Sequence, residues 1–500
     1  MGMLSKSKLL AYRQCQRRLW LEIHDPDPPD HSAATEATFK TGHHVGEVAR
    51  RIYDPKGTGT EIDRKALGTT VAIASTPELL VSNKPLFEAG FSAEGAYAFA
   101  DVMLPLRKAG QRVWRMVEVK SSTEVKDYHR DDTAVQAFVA RASGAPLASV
   151  AVAYIDKTWV YPGGEDYTGL FVEEDLTDEA FGRVDEVRGW ISEAQAVVRR
   201  RKMPDARVGK QCTEPYVCNF IDRCTTWEPK IKYPVSWLPR ATSSALKTLF
   251  NEGGVEDLRK VPDALLNERQ LRVKTATLSG KPYFDKAGAA AELAAYKLPA
   301  TFLDFETIQF AVPIWKGTRP YQKIPFQFSA QRLSRSGKLV EHPFLDLSGD
   351  NPSRKLAEAL LASCGDSGPV FAYHASVEKG CITGLAETFP RMKRDLMAIA
   401  GRLVDLLPVA KKYFYHPSQA GSWSLKAVLP AVVPGLSYAD LDEVQGGTLA
   451  MIAYAEAITP ETSAARKATI EKQLLDYCRL DTYAMVRLWQ VFAGRSDFDL

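Results

Sequence analysis

Apolar residues recur at helical spacing near the start of the chain, where Leu9, Leu10, Tyr12, Cys15 and Leu19 fall toward one side and Ser5 or Ser7 can cap the helix. Residues 39–53 repeat the pattern as a second helix. Two strand-like runs follow, AYAFADVML around Asp101 and VWRMVEVKSS around Glu118, and helices are expected over about 131–142 and 177–201. Pro, Lys and Trp punctuate 225–240 as a linker. Residues 241–298 look helical, with breaks at Gly253-Gly254 and Gly280. A fresh alternation starts at ATFLDFETIQF, with strands expected at 300–308, 326–334 and 369–374 and a strong helix from about 468 to 493. The pattern is that of an α/β chain, divided into 1–228, a helical connector over 229–298, and 299–500.

A length of 500 residues is ample for two or three cores, and 45% hydrophobic with 25% charged residues is ordinary for a soluble globular protein. Collagenous, wholly disordered and membrane-embedded chains are excluded, because no apolar run approaches the roughly 18 residues of a spanning helix. The basic, amphipathic N-terminal stretch lacks the apolar core of a signal peptide, and MGMLSK lacks a myristoylation pattern. A cytoplasmic setting is therefore expected, in which seven cysteines are thiols or metal ligands rather than disulfides. The net charge is only +3, so a nucleic-acid partner has to be argued from local sites.

Glu118 and Lys120 stand two apart in VWRMVEVKSS and project from one face, while Val117 and Val119 take the other. Asp101 closes the preceding strand, at a distance that suits a hairpin partner. An Asp and a Glu that converge can hold Mg²⁺ or Mn²⁺, and a neighbouring Lys can orient water or steady a phosphate. The Glu-Val-Lys tripeptide alone equally fits an ordinary strand edge. In order and spacing, Asp101, Glu118 and Lys120 resemble the restriction-endonuclease-like (PD-(D/E)XK) nucleases of the RecB type. The resemblance implies a role for Gln136 on the following helix, in DDTAVQAFVARASG. Two positions depart from that family: Ala140 replaces an aromatic residue, and Gly46 stands where a His is usual, leaving Glu47 or His44 as substitutes.

Cys212, Cys218 and Cys224 form a C-x5-C-x5-C array, and Cys15 is the only other cysteine before Cys364. Zinc sites and cubane clusters usually need four ligands, which one early and three late cysteines supply. This layout resembles the iron–sulfur staple of RecB-family nucleases, including the AddB type and the CRISPR-adaptation nucleases. It implies a structural 4Fe–4S cluster on Cys15, Cys212, Cys218 and Cys224, with zinc as the alternative. Cys364, Cys381 and Cys478 are expected to be core residues.

In LPATFLDFET, Asp304 and Glu306 share a strand face, and buried carboxylates need a metal or a partner. Tyr477 and Asp481 stack at i and i+4 on the last helix, and Glu378 sits where VFAYHASVEKGCI turns from strand to helix. The order resembles the DnaQ-like (DEDD) 3′–5′ exonucleases on an RNase H-like fold, with His374-x3-Glu378 in place of Asn-x3-Asp. That resemblance implies metal ligation by Asp304, Glu306, Glu378 and Asp481, and a water-orienting Tyr477. Asp405 and Lys426 are weaker candidates for a fifth acid and a phosphate contact. Residues in SSALKTLFNEGGVEDLRKVP loosely resemble a DNA-gripping helix-hairpin-helix.

Together these resemblances, which cover nearly the whole chain, identify it with an uncharacterised RecB-like bacterial group carrying two nuclease domains. They imply a metal-dependent deoxyribonuclease acting on single-stranded ends, flaps or tailed duplexes, with RNA not excluded and no membrane partner. The competing expectation is a metal-stapled nucleic-acid-binding scaffold with one or both sites inactive.

Overall fold

The computed structural model describes residues 2–27, 32–438 and 441–498. Two compact units divide the chain, one of residues 1–229 with 310–322 and one of residues 230–309 with 323–500. Both are mixed α/β, as the strand and helix patterns predict.

In the first unit β1 (Leu4–Ser5), β2 (Thr60–Glu61), β3 (Leu86–Ala93), β4 (Ala96–Lys108), β5 (Gln111–Lys120), β6 (Leu147–Ile155) and β7 (Phe171–Asp175) make one seven-stranded sheet. Its order is β2-β3-β4-β5-β6-β7, with β1 pairing β4. Tight turns at Glu94-Gly95 and Ala109-Gly110 join β3 to β4 and β4 to β5, and all four residues have positive φ. Such two-residue hairpin turns match the twist of the strands. β5 and β6 are parallel, which requires a crossover, and the helix Asp127–Ala142 supplies it. That helix buries Val135, Phe138 and Val139 against Trp114, Met116 and Val152, and its alanines let it lie close to the sheet. The helices Lys6–Gln14 and Val184–Val198 cover the same side through Leu9 and Trp190.

Ser5 is the observed cap, its hydroxyl accepting from Lys8 N at 3.2 Å. The single helix expected through Leu19 is two, because Cys15 is extended (φ −164, ψ 125) between Lys6–Gln14 and Gln16–His24. Residues 39–53 are the later part of the helix Ala33–Tyr53, and 177–201 breaks at Arg183 into Thr177–Gly182 and Val184–Val198.

In the second unit β8 (Tyr283–Phe284) pairs with β14 (Phe414–Tyr415), tying the residues expected to be a connector to the later chain. The main sheet comprises β9 (Ala300–Ile308), β10 (Ile324–Leu333), β11 (Leu339–Leu345), β12 (Val370–Ala372) and β13 (Leu403–Asp405), in the order β11-β10-β9-β12-β13. The first three are antiparallel neighbours, and β12 runs parallel to both β9 and β13. Leu303 and Phe305 of β9 face the helices Ser353–Cys364 and Ser376–Thr388 through Leu356, Leu360 and Ile382. The opposite face meets the last helix, Ala464–Phe492, where Phe302 sits 6.0 Å from Trp489 and Ser329 Oγ lies 2.7 Å from Thr482 Oγ1.

The helix-hairpin-helix expected after Ser243 does not form as such. Ser244–Asn251 is helical, but residue 257 bridges to Pro234, and only a 3-10 turn, Leu258–Lys260, follows. Phe302 is fully buried and stacks on Phe371 at 5.2 Å. Phe302→Ala should destabilise this unit by about 3–5 kcal/mol, read as a lowered urea midpoint. An unchanged midpoint would mean that the β9 layer does not hold this unit together. Among the described residues no helix is long and apolar enough to cross a membrane.

Candidate functional site

β4 and β5 pair with Val102 opposite Val117, which sets Asp101 beside Glu118. Asp101 Oδ2 accepts from Val119 N at 2.8 Å, so the acid is locked to the neighbouring strand. Glu118 is 2% exposed and is gripped on both oxygens. Lys120 Nζ and Lys6 Nζ reach Oε1 at 2.7 and 2.9 Å, and Gln136 Nε2 donates to Oε2 at 2.6 Å and to Phe99 O at 2.8 Å. Both ammonium groups also pair with Asp132, Lys6 at 3.0 Å. Burial alone would raise the Glu118 carboxyl, but Lys120 and Lys6 pull it well below the usual carboxylate range. Asp101 has the reverse balance: burial and the Glu118 charge push it well up.

The structure thus joins Asp101, Glu118, Lys120 and Gln136, and adds three residues that sequence reasoning missed. Lys6 and Asp132 complete the ion-pair square. Glu88 stands level with Asp101 on the neighbouring strand β3, with φ 56, its carboxyl raised by burial and by Glu118. A left-handed, non-glycine residue in a strand is a strained exception. The only trace of Glu88 in the sequence is an acid interrupting the apolar run LFEAGF. Glu47 stands apart on the helix Ala33–Tyr53, its side chain 42% exposed and 3.7 Å from His44 Nδ1.

Cys15, Cys212, Cys218 and Cys224 all line one cavity, with Arg17, Arg18 and Phe220 among its other walls. The three later cysteines are buried and Cys15 is partly so. Hydrogen bonds close the cage around them: Gln14 Nε2 donates to Gln211 O at 2.8 Å and to Tyr216 O at 2.7 Å, and Arg17 Nε to Pro204 O at 3.2 Å. Burial pushes the Cys218 and Cys224 thiols up, with Arg18 and Arg17 respectively opposing it. No three of the four sulfurs lie within 4.8 Å of one another, among the groups of described residues that meet that spacing.

The C-terminal acids are assembled by two elements distant in sequence. Asp304 and Glu306 come from the centre of β9, and Asp481 from the helix Ala464–Phe492; each offers an oxygen within 4.8 Å of the others. Tyr438 donates to Asp481 Oδ1, and Tyr477 borders the same carboxylate. Cys478 Sγ lies 3.8 Å from Asp304 Oδ2, so this expected core cysteine also walls the site. Lys426 Nζ stands 5.1 and 5.6 Å from the rings of Tyr438 and Tyr477. Gly446 and Gly447 bring backbone in close: a Cβ on Gly447 would lie 3.5 Å from Glu306 Oε2. Glu378, 3% exposed at the start of the helix Ser376–Thr388, adds its charge to Asp304 and has one oxygen, Oε2, without a hydrogen bond. Asp405 has a different task here. It caps the helix Leu406–Tyr413 through Leu407 N at 2.9 Å and holds His374 N at 2.8 Å.

These acids lack the ammonium partners of the first cluster, and their acidities show it. Burial, with the neighbouring carboxylates, raises Asp304 well above its ordinary value and Glu306 to about 8. Burial also lifts Glu378 to about 7 and Asp481 to about 6, the latter opposed by Tyr438, Tyr477 and Lys426. A divalent cation, which binds oxygen donors, would relieve this repulsion. The unfolded chain releases these protons near pH 4 while the folded chain keeps them toward pH 6–8. Between those limits the native state binds more protons, so stability in chelator should fall as pH rises. Added Mn²⁺ should raise the melting temperature by about 5 °C or more at pH 8, and by less at pH 6. Asp304→Asn should flatten both trends. A wild-type shift independent of pH would count against cation binding at these acids.

Over residues 301–424 the chain is similar to a family described as a domain of unknown function (DUF2779), a span that holds Asp304, Glu306, Glu378 and Asp405 and ends before Lys426, Tyr438, Tyr477 and Asp481. No curated protein matches the chain significantly.

Proposed function

We propose that this chain is a metal-dependent nuclease that hydrolyses phosphodiester bonds, with DNA ends, flaps or tailed duplexes as substrates and RNA as a chemically equivalent one. The observation that carries the reading is the Asp304, Glu306 and Asp481 group, two buried carboxylates and one partly buried, converging with no ammonium bonded to them. On this reading the second unit is an RNase H-like, DnaQ-type 3′–5′ exonuclease. Asp304, Glu306, Asp481 and Glu378 hold Mg²⁺ or Mn²⁺, whose chemistry is to make hydroxide from bound water and to steady the leaving oxygen. Tyr477 orients the attacking water, and Tyr438 keeps Asp481 in place. Lys426 offers positive charge toward the scissile phosphate.

The first unit, on the same reading, is a restriction-endonuclease-like PD-(D/E)XK domain with Asp101 and Glu118 as metal ligands and Lys120 as the phosphate-facing cation. Gln136 fixes the orientation of Glu118. The four cysteines around one cavity suit a 4Fe–4S cluster as a structural staple. Zinc suits them less well, because Zn–S bonds near 2.3 Å bring all the sulfurs within about 4 Å of one another. Arg17 and Arg18 are placed to balance the charge of bound thiolates. A cytoplasmic setting fits seven free cysteines.

A second reading, a nucleic-acid-binding scaffold with an inactive first site, is favoured by one observation: Lys6 and Lys120 already neutralise Glu118 and Asp132. Cleavage of 5′- and 3′-labelled single strands in Mg²⁺ or Mn²⁺ separates the readings, using anaerobically purified wild type, Lys120→Ala, Asp304→Ala and the double variant. Stepwise 3′ shortening lost with Asp304→Ala supports the exonuclease, and residual cutting lost with Lys120→Ala supports the first site. Identical patterns from wild type and double variant, on DNA and RNA alike, would leave the scaffold as the better account.

A further inference from the structure

Residues 229–298 carry 12 Lys and Arg against 7 Asp and Glu, a net +5 in a chain whose total is +3. Most arginines of the chain are spoken for; in this region Arg259 pairs with Asp257 and Arg272 with Glu268. Several lysines here also lack a partner, but three cations of the second unit lie close to one another. Arg240, Arg269 and Lys411 have no hydrogen-bond or ion-pair partner for their side chains among the described residues. They come from three separate segments, which the helix Glu268–Ser279 draws together. From its first turn Gln270 Nε2 donates to Pro239 O at 3.0 Å and to Arg240 O at 3.4 Å. Two residues on, Arg272 Nη1 donates to Lys411 O at 3.4 Å and a second contact reaches Lys412 O.

Arg240 has a left-handed backbone, φ 48, at the point where Gln270 holds it. A strained residue of this kind persists only where its surroundings enforce it. Burial and the like charges of Arg240 and Arg269 depress the Lys411 ammonium, and Asp405 opposes them. Like charges converge at a cost unless an anion joins them.

The position of the three cations relates them to the acid centre. Lys411 lies on the helix Leu406–Tyr413, whose cap Asp405 holds His374 N and whose charge is felt by Glu378. Six residues of helix separate Asp405 from Lys411, about 9 Å of rise. One short helix and its cap thus join the cations to the neighbourhood of the acids.

We propose that Arg240, Arg269 and Lys411 form a subsite for the backbone phosphates of a single-stranded nucleic acid whose end lies at Asp304, Glu306 and Asp481. The subsite rests on the nuclease reading of that centre and adds to it how the strand is held. It reads charge and spacing rather than base identity, so it accepts DNA and RNA alike.

The test uses the full chain in chelator, with fluorescence anisotropy of labelled dT20 and U20 across a salt series. Replacing the three cations together (Arg240→Gln, Arg269→Gln, Lys411→Gln) should weaken binding of both at least about tenfold at 100 mM salt. It should also lower the salt slope by about 2, since each phosphate contact on a single strand contributes about 0.7. In Mn²⁺, hydrolysis of a mononucleotide p-nitrophenyl ester, too short to reach the cations, should stay within about twofold of wild type while KM for the 20-mers rises. Unchanged affinity and slope would overturn the subsite. So would a labelled polyglutamate that binds wild type as tightly as dT20 and is lost equally, which would mark the surface as one for an acidic protein. If wild type hydrolyses neither substrate, the nuclease reading fails, and the anisotropy series alone still decides whether the three cations grip phosphates.

Discussion

Asp304→Asn should lower kcat/KM for metal-dependent 3′ shortening by at least about 10³-fold, some 4 kcal/mol of transition-state stabilisation, with the fold retained. Asp304 shares the 4.8 Å group with Glu306 and Asp481, and the charges of all three neighbouring acids, Glu378 included, bear on it. Without its charge, Glu306 and Asp481 would have to hold a cation on their own. The amide is isosteric, and losing a buried repulsion should raise thermal stability in chelator rather than lower it. Glu378→Gln should cost less, about 10- to 100-fold, because Glu378 lies outside the tight group and its Oε2 has no present partner. Single-turnover assays on a 3′-labelled strand, run beside melting curves, check both points. Full activity in a folded Asp304→Asn protein would remove this centre from the chemistry.

Cys218→Ser should release stoichiometric iron and sulfide from anaerobically purified protein and unfold part of the first unit at ordinary temperature. A structural metal centre can contribute on the order of 10 kcal/mol, because the unfolded chain has no preformed site. The consequence should reach the Asp101 and Glu118 centre. Cys15 is the hinge between the helices Lys6–Gln14 and Gln16–His24, and Lys6, which pairs with Glu118 at 2.9 Å, begins the first of them. Losing the staple frees that helix, so cutting that depends on Lys120 should disappear along with the iron. Cys364→Ala is the matched control. Cys364 is buried among Leu356, Leu360 and Val370, with its thiol pushed up to about 12 by burial, and its loss should leave the iron in place. Iron retained in Cys218→Ser, or absent from wild type, would refute the cluster, and metal analysis would report zinc directly.

Element types were legible wherever one residue pattern persisted. β9, the helix Asp127–Ala142 and the last helix each carry a long apolar face, and a face of that kind has one economical use, burial against a sheet. β3, β6, β11 and β13 were not anticipated. β3 ends in Glu94-Gly95 rather than Asn-Gly, and β13 is three residues long, too short for any period to register. Cys15 breaks a helix whose side-chain spacing is uninterrupted, because the break lies in the backbone.

For the chemistry, the sequence by itself determined which residue types share a strand face: Glu118 with Lys120, and Asp304 with Glu306. A period of two leaves no alternative. It also placed Tyr477 under Asp481 through the helical repeat. Only the tertiary structure decided which faces meet. Lys6 reaches Glu118 across 112 residues, and Tyr438 reaches Asp481 from an irregular segment with no motif. Glu88 enters the first cluster because strand pairing sets it level with Asp101, and Asp405 turns from possible ligand into helix cap. The physical reason is the same each time. Local periodicity encodes the direction of a side chain on its own element, whereas convergence, burial and the resulting acidity arise only when elements pack, and packing is a property of pairs far apart in the chain.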